Sequence, residues 1–403
     1  MIIRRVGKFA LILLLASALG ACGIFGDKDE EELPPKELLK FQQTLPVKKA
    51  WSAKVGGGSE FLRLGLMPAG DSSKIFTASH DGRVTAFRPD NGKVLWRVDT
   101  DASLSAGPSF GGNLVVVASA DGELIGLSAS DGTELWRTET GAEVLARPLI
   151  HENAVILRTV DGKLAVYESF DGSERWVVEQ EVPSLSIRGT SAPVVVGGTV
   201  VAGFDNGRLM AVSVATGDTM WEALLSPASG RSDLDRLSDV DGYMIVSGQD
   251  VFAAGFQGQV AAVAVESGQA LWSREHSTFN GLGLDWNSVY LLVDEGDLVA
   301  LARRNGVETW RQDALQRRWP VAPTAFNTTV AVGDFEGYMH FFDSADGTPV
   351  ARIRVAKGPL SGYPLIVGET LYVQSEAGTL TALRVQQSKK PRRSAPDTAS
   401  GEN

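Results

Sequence analysis

A sixteen-residue unit, Asp121–Trp136 (DGELIGLSASDGTELW), recurs without a gap along this chain. Copies run at 81–96, 161–176, 206–221, 257–272 and 295–310, and each ends on tryptophan. A weaker copy at 336–351 ends on Ala351 instead, and a truncated one, AGTLTALRV, closes at Val385. The first glycine of each copy falls at 82, 122, 162, 207, 258, 296, 337 and 378, a period close to forty residues. A repeat of that length is one supersecondary unit that cannot bury its apolar face alone. Stacking against its neighbours supplies the core.

Within a unit the local physics is legible. The pair Asp121-Gly122 supplies a positive-φ turn, and Leu124, Ile125 and Leu127 then run as a strand. Asp131-Gly132 reverses the chain into a strand ending on Trp136, and residues 105–119 add two more strands around Gly111-Gly112-Asn113. Four antiparallel strands per forty residues predict a β-propeller blade. A tryptophan four residues after the turn glycine is predicted to pack between neighbouring blades. The eighth copy stops before its tryptophan strand, while VKKAWSAKVG (47–56) matches GKVLWRVDT (92–100). Trp51 is therefore predicted in the last strand of the eighth blade, where joining the two chain ends removes the free edges of an open array. The predicted fold is all-β: an eight-bladed β-propeller of four-stranded antiparallel blades, the last closed by the N-terminal strand. Ala351, in place of tryptophan, predicts one weakened blade contact.

The ends of the chain read differently. Arg4, Arg5 and Lys8 precede the apolar run Phe9–Ala18, which is too short to span a bilayer, so residues 1–21 read as a signal peptide. The segment ends in Leu19-Gly20-Ala21-Cys22, which resembles a bacterial lipobox with Cys22 as the acylated first residue of the mature protein. Cys22 is the only cysteine in the chain. An ordinary signal peptide with an incidental cysteine is the alternative. Gly23, rather than aspartate, after the lipidated position favours the outer membrane. Residues 22–44, acidic and carrying Pro34-Pro35, read as a flexible tether, 45–386 as the propeller and the polar stretch 387–403 as a disordered tail.

No catalytic signal stands up to its context. The net charge is −11 with no basic stripe, which excludes a nucleic-acid binder. Gly107-Pro108-Ser109-Phe110-Gly111 fits the G-x-S-x-G pattern, but that nucleophile needs a strand-turn-helix setting and Leu114–Ala118 reads as a strand. His80, His151, His276 and His340 fall in different blades without zinc-ligand spacing. Asp239-Val240-Asp241-Gly242 and Asp294-Glu295-Gly296-Asp297 do not complete a calcium loop and read as turns. No enzyme activity, cofactor or metal is expected. What stands out is a departure from the repeat spacing in two adjacent units, at 181–193 and 224–242. Insertions between blades gather on a rim of the disc, where binding faces form.

The tryptophan repeat resembles that of the eight-bladed pyrroloquinoline-quinone (PQQ) dehydrogenases, whose chemistry uses adjacent cysteines and a calcium site with an acidic base. This chain carries neither a cysteine pair nor a convergent acidic cluster. A PQQ-dependent oxidoreductase is thus one alternative, and a carbohydrate- or cell-wall-binding propeller another. Lipobox, tether and eight marked blades together resemble the BamB family, lipoproteins of the outer-membrane β-barrel assembly (BAM) machinery, over nearly all of 22–385. The most specific stretches are LSIRGTSAP (185–193) and DRLSDVD (235–241), inside the two irregular segments. The resemblance implies a non-catalytic scaffold held by lipid on the periplasmic side of the outer membrane. It also implies docking to the POTRA domains of BamA, with Leu185 and Ile187 as apolar anchors, Arg188 as a charged anchor, and Asp239 and Asp241 as acidic partners. An internal ion pair from Arg188 to Asp239 or Asp241 is the alternative use of the same residues. Nascent outer-membrane barrel proteins are the further implied partner, captured on exposed blade edges by β-augmentation.

Overall fold

Each repeat folds as its turn residues require. Gly122 and Gly132 hold φ of 87° and 83° on either side of the third of four strands, Leu104–Gly111, Leu114–Ser119, Glu123–Ser128 and Glu134–Glu139, paired in chain order. The computed structural model describes residues 33–57, 62, 64–183, 185, 191–226, 239–240, 242–278, 280–293 and 295–386. The chain divides into two units, Met1–Pro35 and Lys36–Asn403, and the propeller is the second. Eight sheets form, numbered here as blades 1 to 8 from the strand pair at 75–87 onward. Val47–Lys54 completes blade 8 by pairing antiparallel with Thr379–Val385, from Val47 opposite Val385 to Lys54 opposite Thr379. The predicted eight-bladed, N-terminally closed propeller is the observed fold.

Burial follows position in the blade. The two middle strands are buried on both faces, as in Leu114–Ser119 and Ala154–Arg158, because each blade is sandwiched between two others. Inner strands such as Leu149–His151 and Val194–Val196 are half-buried around the axis, and outer strands alternate. The core is therefore a ring of inter-blade layers; Phe76 and Trp96 of blade 1, for example, pack with Val115, Val117 and Leu127 of blade 2. Blade 2 carries one addition, the pair Gly65–Leu66, which joins its inner strand in parallel. Leu66 and Met67 are fully buried there, and Met67 reaches Gly362 of blade 8 across the short inner strand Ala69–Gly70 of blade 1.

The tryptophans lock each blade onto the next. The indole N–H of Trp51 donates to Pro89 O at 2.9 Å, Trp96 to Ala129 O at 3.1 Å, Trp136 to Ser169 O at 2.9 Å and Trp176 to Val214 O at 2.9 Å. Trp221, Trp272 and Trp310 repeat the bond to Val265 O, Arg303 O and Ser344 O at 2.7, 2.8 and 3.0 Å. Each ring lies under the turn glycine of the following blade, so closely that a Cβ on Gly92, Gly132, Gly172, Gly217, Gly268, Gly306 or Gly347 would fall within 2.8 Å of it. One turn thus supplies both the acceptor and the space.

Blade 7 breaks the pattern, and the expected weak contact at Ala351 is not what forms. The third and fourth strands of blade 8 come from opposite ends of the chain, so no turn joins them and a tryptophan at 351 would have nothing to dock on. Ala351 is nevertheless 1% exposed. Its cross-strand partner is Phe341, where the other blades place Ala86, Gly126, Val166, Ala211, Ala262, Ala300 and Ala382 opposite their tryptophans. Large and small residues have exchanged strands. The chain leading into the closing strand covers the outside: Thr44 and Leu45 N–H both donate to Val350 O at 3.0 and 3.1 Å, and Arg352 donates to Leu39 O at 3.0 Å with its guanidinium 5.6 Å from the Phe41 ring. From Lys36 onward, then, the part of the expected tether that the structure describes is strapped to the propeller. Ala351→Trp should cost about 1–3 kcal/mol by overpacking against Phe341 and the strap, and adding Phe341→Ala should recover part of it. Urea midpoints of the two variants check this; an Ala351→Trp chain as stable as the parent would show that the exchange is idle.

Beneath the strap, Arg318 Nε and Nη2 donate to Asp334 Oδ2 at 2.9 and 2.8 Å, and His340 Nε2 meets the same oxygen at 3.0 Å. Burial pushes His340 below its ordinary 6.5 despite the carboxylate, so the ring stays neutral. Burial alone would raise the Asp334 carboxyl, but His340, the Tyr338 N–H and Arg318 together hold it below its ordinary 3.8. Both shifts act in one direction. The unfolded chain takes up these protons first, so what the two groups contribute to stability is fully present above pH 6.5 and falls as pH drops below it, with a further loss below 3.8. His340→Gln should flatten the dependence of the urea midpoint on pH just below 6.5. An unchanged slope would remove His340 as its source.

Candidate docking site

Strands alternate in direction within a blade. The turns between second and third strands and the crossovers between blades therefore emerge on one face of the disc. Backbone bonds tie the two sets together: Thr100 N–H to Gly82 O at 2.9 Å, Thr140 N–H to Gly122 O at 2.7 Å, Leu225 N–H to Gly207 O at 2.9 Å. Both irregular segments are such crossovers, from blade 3 to 4 and from blade 4 to 5, so they flank blade 4.

The structure describes the roots of these loops. In the second, Ser226 N–H donates to Gly207 O at 3.0 Å, and its buried side chain fills the space where a Cβ on Gly255 would stand, 3.3 Å from Asp239 O. Ser226 and Asp239, the described residues on either side of 227–238, thus meet beside Gly255. Asp239 O accepts from Phe256 N–H of blade 5 at 2.8 Å, and Val240 N–H donates to Phe204 O of blade 4 at 3.2 Å. The first loop is tied to the second by Ser191 Oγ donating to Gly242 O at 3.0 Å. Below them Arg158, fully buried at the end of Ala154–Arg158, pairs with Asp205 and lies 4.8 Å from the Phe204 ring.

Of the residues expected in the site, Leu185 is exposed. Ile187, Arg188 and Asp241 lie outside the described residues, as does Cys22. Asp239, expected as an acidic surface contact, is only 1% exposed, at the root of its loop. Arg158, Asp205 and Ser191 were not anticipated. Arg158 was there to be found, because the equivalent position four residues before the turn glycine is Ala78, Ala118, Gly203, Ala254, Leu292, Gly333 or Gln374 elsewhere. A guanidinium at a buried strand position needs a partner. The G-x-S-x-G pattern is accounted for: Ser109 is buried in the inner strand of blade 2 with its hydroxyl on Pro148 O.

The family model described as outer membrane protein assembly factor BamB matches residues 80–312 and 294–390. The outer membrane protein assembly factor BamB of Pseudomonas aeruginosa is 47% identical over 94% of this chain and 99% of its own length. The chain belongs to the BamB family. The BamB of Escherichia coli K12 is 35% identical over 92% of this chain and 97% of its own. The crystal structure of BamB from Moraxella catarrhalis superposes with a TM-score of 0.77 at 27% identity, covering 84% of this chain and 99% of that one.

Quinohemoprotein alcohol dehydrogenase from Comamonas testosteroni shares the fold alone, with a TM-score of 0.68 at 14% identity over 87% of this chain and 78% of its own. Aromatic side chains meet across the ring of blades. Tyr243, leading into blade 5, and Tyr363 of blade 8 meet with ring centroids 5.1 Å apart, and Tyr363 Oη donates to Leu282 O of blade 6 at 3.1 Å. Burial raises both phenols, keeping them neutral. Among the described residues no group of three or more His, Cys, Asp or Glu side chains is placed to hold a metal ion.

Proposed function

We propose that this BamB-family chain acts as a non-catalytic scaffold whose two irregular loops dock the POTRA domains of BamA. Family membership makes it a component of the BAM complex that assists outer membrane protein assembly and is associated with the outer membrane. The observation that carries the finer reading is the pinning of both loops at their roots over blade 4, through Ser191 to Gly242 and through Asp239 and Val240 to blades 5 and 4. Fixed roots leave less of the loop surface to order on binding, which lowers that cost. On that surface Leu185, Ile187 and Arg188, with Asp241, are the proposed contacts, a composition of aliphatics around an arginine that suits a hot spot. Asp239, being buried, holds the loop. Acyl groups on Cys22 anchor the chain in the proposal.

Nascent barrel strands are the second proposed partner, and the blade geometry limits where they fit. Every outer strand has a bulge at the residue before the tryptophan position, as at Leu95, Leu135, Met220 and Leu271. A bulge blunts an edge, so augmentation is confined to the straight stretch that follows, such as Trp136–Glu139.

The test is binding of the chain from Gly23 onward to purified BamA POTRA domains. Arg188→Ala and Leu185→Ala/Ile187→Ala should each lose about 2 kcal/mol, roughly thirtyfold in affinity, while circular dichroism stays that of the parent. Folded variants that bind like the parent would move the site elsewhere; no binding by the parent would end the POTRA reading.

A further inference from the structure

The crossover from blade 6 to blade 7 carries an aromatic corner that lies outside the two proposed docking loops. Trp319 is 62% exposed, and its ring stands edge-on to Phe335 with centroids 5.1 Å apart and planes at 81°. Arg317 and Trp319 both hold left-handed backbone, at φ of 55° and 41°, a costly conformation for bulky side chains. The distortion turns Arg318 inward, onto Asp334 and Glu336, and leaves the indole outside. A smaller apolar group would cap Phe335. Most of this ring is left over.

The same crossover receives the chain coming from Cys22. Lys36 N–H donates to Gln316 O at 3.1 Å, Arg318 Nη1 donates to Lys36 O at 3.0 Å, and Lys36 Nζ pairs with Asp313 at 2.6 Å. Lys36 follows Cys22 by fourteen residues, a stretch that spans at most about 50 Å when fully extended. The charges around the indole are matched, with Arg317 on Glu295 at 2.5 Å and Lys36 on Asp313. The corner is therefore amphipathic and near neutral. An indole with one apolar and one polar side, ringed by paired charges, is suited to the headgroup layer of a bilayer.

We infer that Trp319, seated on Phe335, rests in the headgroup layer of the bilayer that holds the acyl groups of Cys22. The inference rests on the lipid-anchor reading above. A single acyl anchor constrains the chain at one point, whereas a second contact at blade 6 fixes the orientation of the propeller. The corner lies on the same face as the docking loops, two blades round the ring, so this contact sets which way those loops turn.

The full lipidated chain tests it. Acylation consumes the Cys22 thiol, so a thiol-reactive environment-sensitive dye can be placed at Arg317→Cys, beside Trp319, or at Asn287→Cys, beside the exposed Trp286 on the opposite face. Each protein is reconstituted on phosphatidylethanolamine–phosphatidylglycerol vesicles containing lipids with a quencher high on the acyl chain. The chain should float with the vesicles, and the dye at 317 should be quenched roughly twofold or more beyond the dye at 287. Trp319→Ser should abolish the difference and Trp319→Phe should keep most of it. Flotation with equal quenching at the two positions would overturn the inference while sparing the anchor. So would shielding of position 317 only after BamA POTRA domains are added, which would make the corner a protein contact. Failure to float would overturn the anchor and this inference with it.

Discussion

Trp136→Ala is expected to cost about 3–5 kcal/mol, the range for deleting a large buried aromatic. The ring is 7% exposed, fills the layer between blades 2 and 3, and gives its N–H to Ser169 O at 2.9 Å, a bond worth about 1 kcal/mol of that total. The dock makes a sharper claim than the size of the loss. Gly172, at φ 72°, would place a Cβ 2.6 Å from Cε3 of the same indole. Gly172→Ala alone therefore pays for left-handed backbone and for a collision, whereas in the Trp136→Ala background only the backbone penalty remains. The two single losses should exceed the double-variant loss by about 1–3 kcal/mol, read from urea unfolding of all four proteins. Additive losses would mean that ring and turn do not act as a unit, and that the tryptophan is an ordinary core residue.

That dock explains which parts of the fold were legible in the sequence. A repeat states its own blade, because each copy carries its turn glycines, its alternation and its tryptophan. The position of Trp51 sufficed to place Val47–Lys54 beside Thr379–Val385. Closing a ring from two chain ends has a consequence that a single repeat does not state: one interface must lack its receiving turn. The compensation was visible at Phe341, the one bulky aromatic among the residues that face the tryptophan position, but its meaning depends on knowing which blade comes next. The candidate loops stand out in the sequence for a different reason. An insertion breaks the period, so the spacing finds the loops without saying which residues point outward. Asp239 shows the limit. Composition makes it a surface acid, yet it lies where the loop returns into the seam between blades 4 and 5, and its neighbour Val240 packs into that seam.

Arg158→Ala is expected to cost about 3–5 kcal/mol, because it strands the Asp205 carboxylate in the interior. Asp205 is 4% exposed and opens the turn of blade 4 that lies between the two candidate loops. Its neighbour Phe204 accepts the Val240 N–H and packs under the same guanidinium, so the second loop is rooted on the structure that Arg158 braces. Arg158→Ala should therefore weaken POTRA binding although the side chain is wholly buried. A second variant separates bracing from general loss of stability. Arg158→Met with Asp205→Leu replaces both charges by apolar groups of similar bulk, a change that often leaves stability intact. If a rigid turn is what the loops need, the double variant should recover binding along with its urea midpoint. Recovery of stability without recovery of binding would show that the charges themselves orient the loops. A loss below about 1 kcal/mol in Arg158→Ala would show that water or a neighbouring donor reaches Asp205, and the brace would have to be sought elsewhere.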